Sequence, residues 1–282
     1  MFMAIKNLLR SFFQKPKVTV KIQGGLGNQL FQIAAGLHYG KKHNLEIVFS
    51  ENEKLHDRVG AVGGYTYWDI FNLTNLLKLE IIKEKSYDES NFNDFPIIKT
   101  KKNLMLVGYY QSEKYTKFVR DEMIEFLWSN DEVSKYVINQ FENIVNNYGT
   151  DELISLHIRR GDYLKLPNYH TNLSLDYYVK AVKEISVDYP LIIFSDDQEW
   201  CKENLSKELS NPLFFVSEKD YVEILLMSKI KNNIIANSSF SWWAAYINDN
   251  KGKRVIAPHN WFGNEARSKD WSSIYCEEWK VI

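Results

Sequence analysis

The hydrophobic and polar positions of the first 110 residues follow the period of strands in some segments and that of helices in others. VTVKIQ at 18–23 is short and rich in β-branched residues, which predicts a strand. GGLGNQ at 24–29 follows, and then apolar residues recur at helical spacing over 30–38. LEIVFS at 45–50 and NLMLVGYY at 103–110 predict two further strands. The order strand, glycine turn, helix, strand is how a parallel α/β layer begins.

The second half of the chain alternates more regularly. Its predicted strands are LISLHIR at 153–159, LIIFS at 191–195, LFFVS at 213–217, NIIAN at 233–237 and RVIAP at 254–258. The predicted helices between them cover 173–187, 198–209, 220–229 and 239–247. Such an alternation implies right-handed crossovers and a doubly wound sheet. Turn formers at 146–152 predict a hinge, so we expect two α/β domains, residues 1–150 and residues 151–282.

Composition narrows the class of protein. The chain has 282 residues, 45% of them hydrophobic and 25% charged, which is typical of a folded globular protein and excludes extensive disorder. A formal net charge of −1 argues against a nucleic-acid partner. The two cysteines, Cys201 and Cys276, form no CxxC pair, so they supply neither a disulfide framework nor a cysteine zinc site. This cysteine usage fits a reducing compartment, and we expect a cytoplasmic protein.

The first residues, MFMAIKNLLRSFFQKPK, leave two interpretations open. Lys6 and Arg10 interrupt their apolar residues, so no secretory signal forms, and no run is long enough for a membrane span. The helical spacing of the apolar residues predicts an amphipathic helix within 1–16, whose residues 1–14 would make a peripheral contact with the inner face of the membrane. The alternative is an ordinary helix packed on the fold.

In open α/β sheets, ligands bind beyond the carboxyl ends of the strands. GGLGNQ ends the first strand but lacks the dinucleotide fingerprint, since Leu30 takes the place of the third glycine. Gly25 and Gly27 predict a tight turn or a close approach of the backbone to a ligand. Asn28 and Gln29 would direct amide groups into a cleft at the start of the helix. The alternative is a plain strand–helix turn.

HIRRGDY at 157–163 is the strongest local signal. His157 and Arg159 share one face of the strand, and we expect them to point where polarity is tolerated. Arg160 ends the strand, and Gly161 allows a sharp turn. A guanidinium group is permanently charged and binds phosphate through a bidentate fork. The alternative is an arginine paired with Asp162 that only holds the turn.

Two more strand ends carry polar side chains. Asp196 and Asp197 follow the strand at 191–195, where a carboxylate would contact a nucleoside or cap the next helix. Ser238 and Ser239 follow the strand at 233–237, where hydroxyls and free backbone N–H groups make a phosphate seat or a simple cap. A cationic loop, an acidic turn and a donor-rich helix start in one domain together predict a pocket for a nucleoside diphosphate.

With KIQGGLGNQLFQ, GYYQSEKY, HIRRGDY, FSDD and NSSFSWWAAY in this order, the sequence resembles bacterial α-1,2-fucosyltransferases of glycosyltransferase family 11, from about Val18 to the C-terminus. The resemblance implies an α/β, GT-B-like fold of two Rossmann-like domains facing a cleft. It implies that the C-terminal domain binds GDP-fucose and the N-terminal domain an oligosaccharide or lipid-linked glycan acceptor. It further implies inverting transfer of fucose to O2 of a terminal β-galactoside, with no metal and no other cofactor.

The resemblance also assigns residues. Arg159 becomes the principal contact to the β-phosphate, Arg160 assists it, and His157 and Asp162 complete the motif. Asn28 faces the reacting centre from the other domain. The remaining donor contacts are Gly25, Gly27, Asp196, Ser238, Ser239 and Phe240.

The group that takes the proton of the acceptor hydroxyl stays open. Asp162 and His157 are candidates by motif, and the candidates by position are Glu51, His56 and Asp57. A dissociative reaction needs no base, and Asp162 would then orient the arginines. Two other functions also stay open: transfer of another GDP-sugar or to another linkage on the same fold, and nucleotide or glycan binding without turnover.

Overall fold

The structure, a computed structural model, describes residues 16–49, 67–71, 78–79, 85–88, 103–264 and 270–282. Its framework is two parallel sheets. The N-terminal sheet contains β1 (Lys17–Val20), β2 (Glu46–Phe49), β3 (Lys78–Leu79), β4 (Lys85–Asp88) and β5 (Leu104–Val107). Their order is β3-β2-β1-β5-β4, and every neighbouring pair is parallel. The order reverses direction between β1 and β5.

The C-terminal sheet contains β6 (Ile154–Ile158), β7 (Leu191–Ser195), β8 (Leu213–Phe215), β9 (Asn232–Ile234), β10 (Arg254–Ala257) and β11 (Lys280–Val281). Their order is β11-β10-β9-β6-β7-β8, again parallel throughout. Counted from β6, this is the 3-2-1-4-5-6 order of doubly wound nucleotide-binding sheets. The order reverses between β6 and β9, and such a switch point is where these sheets bind ligands.

Helices connect the strands. They are α1 (Leu26–His43), α2 (Tyr67–Ile70), α3 (Glu113–Thr116), α4 (Arg120–Leu127), α5 (Asp131–Tyr148), α6 (Leu175–Ile185), α7 (Gln198–Glu208), α8 (Asp220–Lys229) and α9 (Ser239–Tyr246). Side-chain caps fix several of their starts, as at α6, where the Ser174 hydroxyl accepts from the N–H of Tyr177. At the end of α5, Gly149 adopts a positive φ of 66°, which glycine tolerates without strain.

The two halves of the molecule share one apolar core. Phe31 of α1 packs its ring 4.4 Å from that of Trp242 and 5.2 Å from that of Trp243, both in α9. All three side chains are fully buried. A cluster of buried apolar residues continues from this contact into both sheets. Because the contact between the halves is apolar and buried, it holds the two switch points in a fixed relation.

The predicted α/β class with two parallel sheets is confirmed, and each predicted strand is present, the one at 191–195 with the predicted bounds and the others with ends trimmed or shifted. The sequence pattern did not indicate β3 and β11, which are only two residues long, or β4, whose sequence KSYD is mostly polar. The boundary at residue 150 stays a prediction, and α5, which precedes it, packs against α8 of the C-terminal half. The described part of the chain has no helix long and apolar enough to cross a membrane. The predicted N-terminal helix lies outside the described residues, as do Glu51, His56 and Asp57.

Candidate active site

Two buried glutamines brace the N-terminal switch point. Gln29 of α1 donates from Nε2 to the carbonyl oxygen of Gly24 at 2.7 Å. Gln32, one turn further, accepts from the N–H of Gln23 at 2.9 Å and donates to the carbonyl of Gly108 at 3.1 Å. The ends of β1 and β5 are therefore tied to the first two turns of α1. Gly24 has a φ of +80°, which makes the sharp exit from β1 possible.

The N-termini of α1 and α9 carry no compensating negative charge. Gly25 precedes α1 and offers no side chain as a cap, and the first turn of α1 contains no acidic residue. The first turn of α9 contains none either, and the Ser238 hydroxyl accepts from the N–H of Phe240 at 3.3 Å. Helix N-termini attract anions through their free N–H groups and the helix dipole. Two such termini at the facing switch points therefore favour a negatively charged ligand.

These two helix starts touch each other. A Cβ atom at Gly27 would overlap the backbone of Ser239 and Phe240. Glycine at position 27 is thus explained by contact between the halves, whereas its predicted contact with the donor stays a prediction. A Cβ atom at Gly25 would meet nothing within 4 Å among the described residues, so packing against them does not require glycine there, and its predicted contact with the donor stays a prediction.

Asn28 joins the two switch points. Its Oδ1 accepts from Nε2 of Gln111, which follows β5, at 2.6 Å. The same oxygen accepts from the hydroxyl of Ser239 at 2.7 Å. Asn28 is partly exposed, in agreement with a position at the cleft. The Ser239 hydroxyl, predicted as a donor contact, is engaged with Asn28 in this structure.

The two arginines after β6 are held differently. Arg159 places NH2 2.8 Å from Oδ1 of Asp162 and NH1 3.1 Å from Oδ2 of Asp196, and neither contact has the alignment of a hydrogen bond. The Arg159 side chain is 32% exposed. Arg160 donates from Nε to Asp197 at 3.0 Å. Ion pairs therefore locate Arg159, and its N–H groups remain available to a ligand.

The acidic turn after β7, formed by Asp196 and Asp197, supports the arginine loop, which is the segment after β6 that carries Arg159 and Arg160. Asp196 accepts from the N–H of Arg160 at 2.9 Å, and a Cβ atom at Gly161 would lie 2.7 Å from its other carboxylate oxygen. Asp197 caps α7 by accepting from the N–H of Trp200 at 3.2 Å. Capping is thus observed for Asp197, while the nucleoside contact of Asp196 stays a prediction.

His157 differs from the sequence-based expectation of a polar environment. It is 5% exposed, and its ring lies 5.5 Å from that of Phe240. Burial, and secondarily the charge of Arg159, lowers the pKa of His157 to about 3. Its Nδ1 atom is buried with no hydrogen-bond partner in the part of the chain that the structure describes. His157 is therefore a neutral imidazole beside the first turn of α9.

Sequence reasoning missed three residues at the site. The ring centres of Tyr163 and His170 lie 3.9 Å apart in a parallel stack, and the Tyr163 hydroxyl donates to the carbonyl of Asn237 at 3.0 Å. Gln111 contacts Asn28. Tyr163 and Gln111 stand inside the motifs HIRRGDY and GYYQSEKY, which was a signal for both. No sequence pattern indicated His170, because it reaches the end of β6 only through the course of the loop that follows Asp162.

A set of three potential metal ligands, Glu113, Cys276 and Glu278, occurs in the described ranges, with ligand atoms within 4.8 Å of one another. Burial raises the pKa of Glu113 and that of the Cys276 thiol, which disfavours the deprotonated forms that would bind a metal ion. None of the strand-end aspartates belongs to this set. The expectation of a reaction without metal stays a prediction.

Known proteins are similar to this chain over most of its length. The O-antigen biosynthesis glycosyltransferase WbnK of Escherichia coli is 28% identical, covering 88% of this chain and 96% of that protein. An α-1,2-colitosyltransferase of Escherichia coli is 31% identical, covering 88% and 93%. The mouse galactoside 2-α-L-fucosyltransferase Sec1 is 22% identical, covering 81% and 64%.

A family model supports the same assignment. The model of glycosyl transferase family 11 matches residues 11–282, which include both switch points and every described motif. The resemblance found in the sequence motifs is thereby confirmed, and the chain belongs to glycosyl transferase family 11.

Proposed function

We propose that this glycosyltransferase carries L-fucose from GDP-β-L-fucose to O2 of a terminal β-galactoside in an oligosaccharide or lipid-linked glycan. The anomeric carbon inverts and an α-1,2 linkage forms. The names of the relatives support the linkage: one transfers colitose in an α-1,2 linkage and another acts on galactosides. The O-antigen relative supports a glycan acceptor.

The assignment of a GDP-sugar as the donor rests on the position of the Arg159 guanidinium group. This group lies at the C-terminal switch point, partly exposed, with no aligned hydrogen bond to the described residues. The uncompensated N-terminus of α9 starts after the adjacent strand β9. A permanent positive charge and free N–H groups at neighbouring strand ends suit a diphosphate.

The chemistry of the leaving group explains why charge is needed there. GDP gains negative charge as the bond between the β-phosphate oxygen and the fucosyl carbon breaks, while that carbon becomes oxocarbenium-like. Arg159 stabilises the charge on the β-phosphate, and the helix N-terminus adds fixed dipoles. Preorganised groups of this kind supply a large part of transition-state stabilisation. Asp162 and Asp196 each contact one terminal nitrogen of the guanidinium group, which leaves further N–H groups of Arg159 for the diphosphate.

Of the two motif candidates for a general base, His157 is a weak proton acceptor and Asp162 is held in an ion pair. His157 has a pKa of about 3, far below neutral pH, and Asp162 contacts the cationic Arg159. We therefore propose a loose transition state in which the acceptor hydroxyl attacks late and releases its proton to solvent after most of the bond to GDP has broken, while Glu51, His56 and Asp57 stay open as bases by position. Asp162 then acts as a positioning residue for Arg159.

The test is incubation of the full chain with GDP-fucose and a panel of β-galactoside oligosaccharides, followed by linkage analysis of the product by NMR. We expect an α-1,2-fucosylated galactoside and stoichiometric GDP, with undiminished activity in the presence of a chelator. A different linkage would contradict the regiochemistry, and activity that a chelator abolishes and a divalent cation restores would contradict charge stabilisation by Arg159. Binding of GDP without any transfer would instead support a binding protein.

Transfer of colitose is the second candidate, because the relative at 31% identity is a colitosyltransferase. Colitose is fucose without its 3-hydroxyl, so the two GDP-sugars present the same diphosphate to Arg159. Comparing kcat/KM for GDP-fucose, GDP-colitose, GDP-mannose and UDP-galactose separates the candidates. A strong preference for GDP-colitose would replace fucose as the donor sugar while leaving the α-1,2 transfer in place.

A further inference from the structure

We propose that Gln111 is a positioning residue that orients the side-chain amide of Asn28, so that the Nδ2 group of Asn28 donates hydrogen bonds into the cleft between the two switch points. This inference rests on the proposed function, because it assumes that substrates bind in that cleft. Gln111 itself does not need to touch the substrate.

The hydrogen bonds of Asn28 define the orientation of its carboxamide. A carboxamide oxygen can accept two hydrogen bonds and its NH2 group can donate two. Oδ1 of Asn28 accepts from Gln111 at 2.6 Å and from Ser239 at 2.7 Å, so both of its acceptor positions are filled. Its Nδ2 group has no hydrogen-bond partner among the described residues, and the residue is partly exposed.

The free amide group lies over the turn that ends β1. A Cβ atom at Gly24 would lie 2.7 Å from Nδ2 of Asn28, which places this nitrogen directly above the glycine. The φ of +80° at Gly24 favours glycine there, and a side chain at this position would also have to displace the amide of Asn28. The Nδ2 donor therefore stands at the carboxyl edge of the N-terminal sheet, where an acceptor sugar is expected.

Gln111 is better placed than Ser239 to select this orientation. A serine hydroxyl rotates and can donate or accept, so Ser239 would fit either face of the carboxamide. Gln111 is only 9% exposed and presents Nε2 to Asn28. The next residue, Ser112, is anchored to the C-terminal half by a hydrogen bond of 2.8 Å to the hydroxyl of Ser273. Gln111 thus donates from a segment that a hydrogen bond ties to the C-terminal half.

The decisive variant is Gln111→Glu, with Ser273→Ala as its matched control. At neutral pH the introduced carboxylate cannot donate to Oδ1 and instead attracts Nδ2, which turns the amide group of Asn28 away from the cleft. We expect kcat to fall about 10- to 100-fold with little change in KM for GDP-fucose, below the ~10²–10³ loss for removing such a donor itself. Ser273→Ala removes only the hydroxyl partner of Ser112, whose Oγ also donates to the backbone carbonyl of Ser273 at 3.2 Å, so the segment stays anchored and kcat should be unchanged.

Two further measurements separate orientation from a merely structural effect. In an Asn28→Ala background, Gln111→Glu should cause no further loss of kcat, because no amide remains to be oriented. In the single variant, activity relative to wild type should recover as the pH falls and the introduced carboxyl becomes protonated, since it then donates as glutamine does. Losses that multiply in the double variant, or a loss independent of pH, would overturn the proposal.

Failure of the proposed function is a separate outcome. If the wild-type chain transfers neither fucose nor colitose, the proposed function fails on its own. The orientation is then tested by the ¹⁵N-resolved side-chain amide resonances of Asn28, which Gln111→Glu should shift and Ser273→Ala should not. Unshifted resonances in Gln111→Glu would overturn the role of Gln111 whatever the reaction is.

Discussion

The guanidinium group of Arg160 lies 4.0 Å from the centre of the Trp200 ring, close enough for a cation–π interaction. Its Nε also donates an aligned hydrogen bond to Asp197. The guanidinium group of Arg159, the preceding residue, lies 5.7 Å from the centre of the Tyr163 ring and makes no aligned hydrogen bond to the described residues. Two adjacent arginines of one motif are therefore distinguishable: Arg160 stabilises the loop, and Arg159 is available to the substrate.

The first prediction follows from this difference. Arg159→Ala should cost at least ~2.7–4 kcal/mol of transition-state stabilisation, the scale of one lost oxyanion donor. Arg159→Lys should also lose most of the activity, because an ammonium group cannot make the bidentate contact with phosphate. The measurement is kcat/KM for GDP-fucose together with the affinity for GDP by calorimetry.

Arg160→Lys is the matched control for Arg159→Lys. Arg160→Lys should lower the free energy of unfolding by about 1 kcal/mol, seen as a lower melting temperature, because the stacking on Trp200 is lost. It should reduce kcat much less than Arg159→Lys does. Near-normal transfer by Arg159→Ala, or equal losses of kcat in the two lysine variants, would contradict the assignment of the β-phosphate contact.

The sequence predicted the strand ends well, because alternation of strands and helices sets where polar residues can converge. The arginine loop, the acidic turn and the start of α9 do follow neighbouring strands of one sheet. The sequence did not predict the contacts of Asn28, whose partners lie 83 and 211 residues away in the chain. Such contacts depend on how the two halves pack, and local periodicity carries no information about that packing.

Burial of His157 escaped prediction for a related reason. Alternation along β6 correctly places His157 and Arg159 on one face of the strand, but the residues that cover this face come from elsewhere. Phe240 covers His157 from the start of α9, while Arg159 is at the strand end and reaches solvent. Sequence separation again hides the neighbour that decides the environment.

A second prediction concerns the contact between the halves. Gly27→Ala would push a methyl group into the backbone of Ser239, and backbone cannot move aside as a flexible side chain can. We expect a loss of stability of about 1–3 kcal/mol, typical of overpacking, and a loss of activity as the switch points separate. Thermal unfolding and kcat measure the two effects.

Gly25→Ala provides the comparison, since the new methyl group would meet nothing within 4 Å among the described residues. Its melting temperature should stay close to that of wild type. If the donor approaches the backbone at this glycine, KM for GDP-fucose should rise in Gly25→Ala. A melting temperature of Gly27→Ala equal to that of Gly25→Ala would contradict the close approach of α1 and α9.

A third prediction tests the role of Asp162. Asp162→Asn keeps the size of the side chain but removes the negative charge beside Arg159. A partly exposed ion pair contributes at most about 1 kcal/mol, so we expect about a fivefold loss of kcat/KM and an unchanged shape of the pH–rate profile. A general base would be worth ~10²–10⁴ and its loss would remove a limb of the profile. A loss of that size, with a missing limb, would make Asp162 the base.

The last prediction concerns stability and pH at His157. Its pKa is about 3 in the folded chain and near 6.5 when exposed, so the unfolded state binds a proton that the folded state excludes. This neutral histidine therefore contributes stability that is fully present above pH 6.5 and is lost as the pH falls towards 3. Between these limits His157 contributes a slope that approaches ~1.4 kcal/mol per pH unit to the dependence of the free energy of unfolding on pH.

The variant His157→Gln tests this contribution, because glutamine cannot take up the proton. Its free energy of unfolding, measured by urea titration from pH 8 to pH 5, should fall less steeply than that of wild type. Because the comparison uses slopes, any constant cost of the substitution cancels, and equal slopes in the two proteins would mean that His157 is accessible to protons in the folded state.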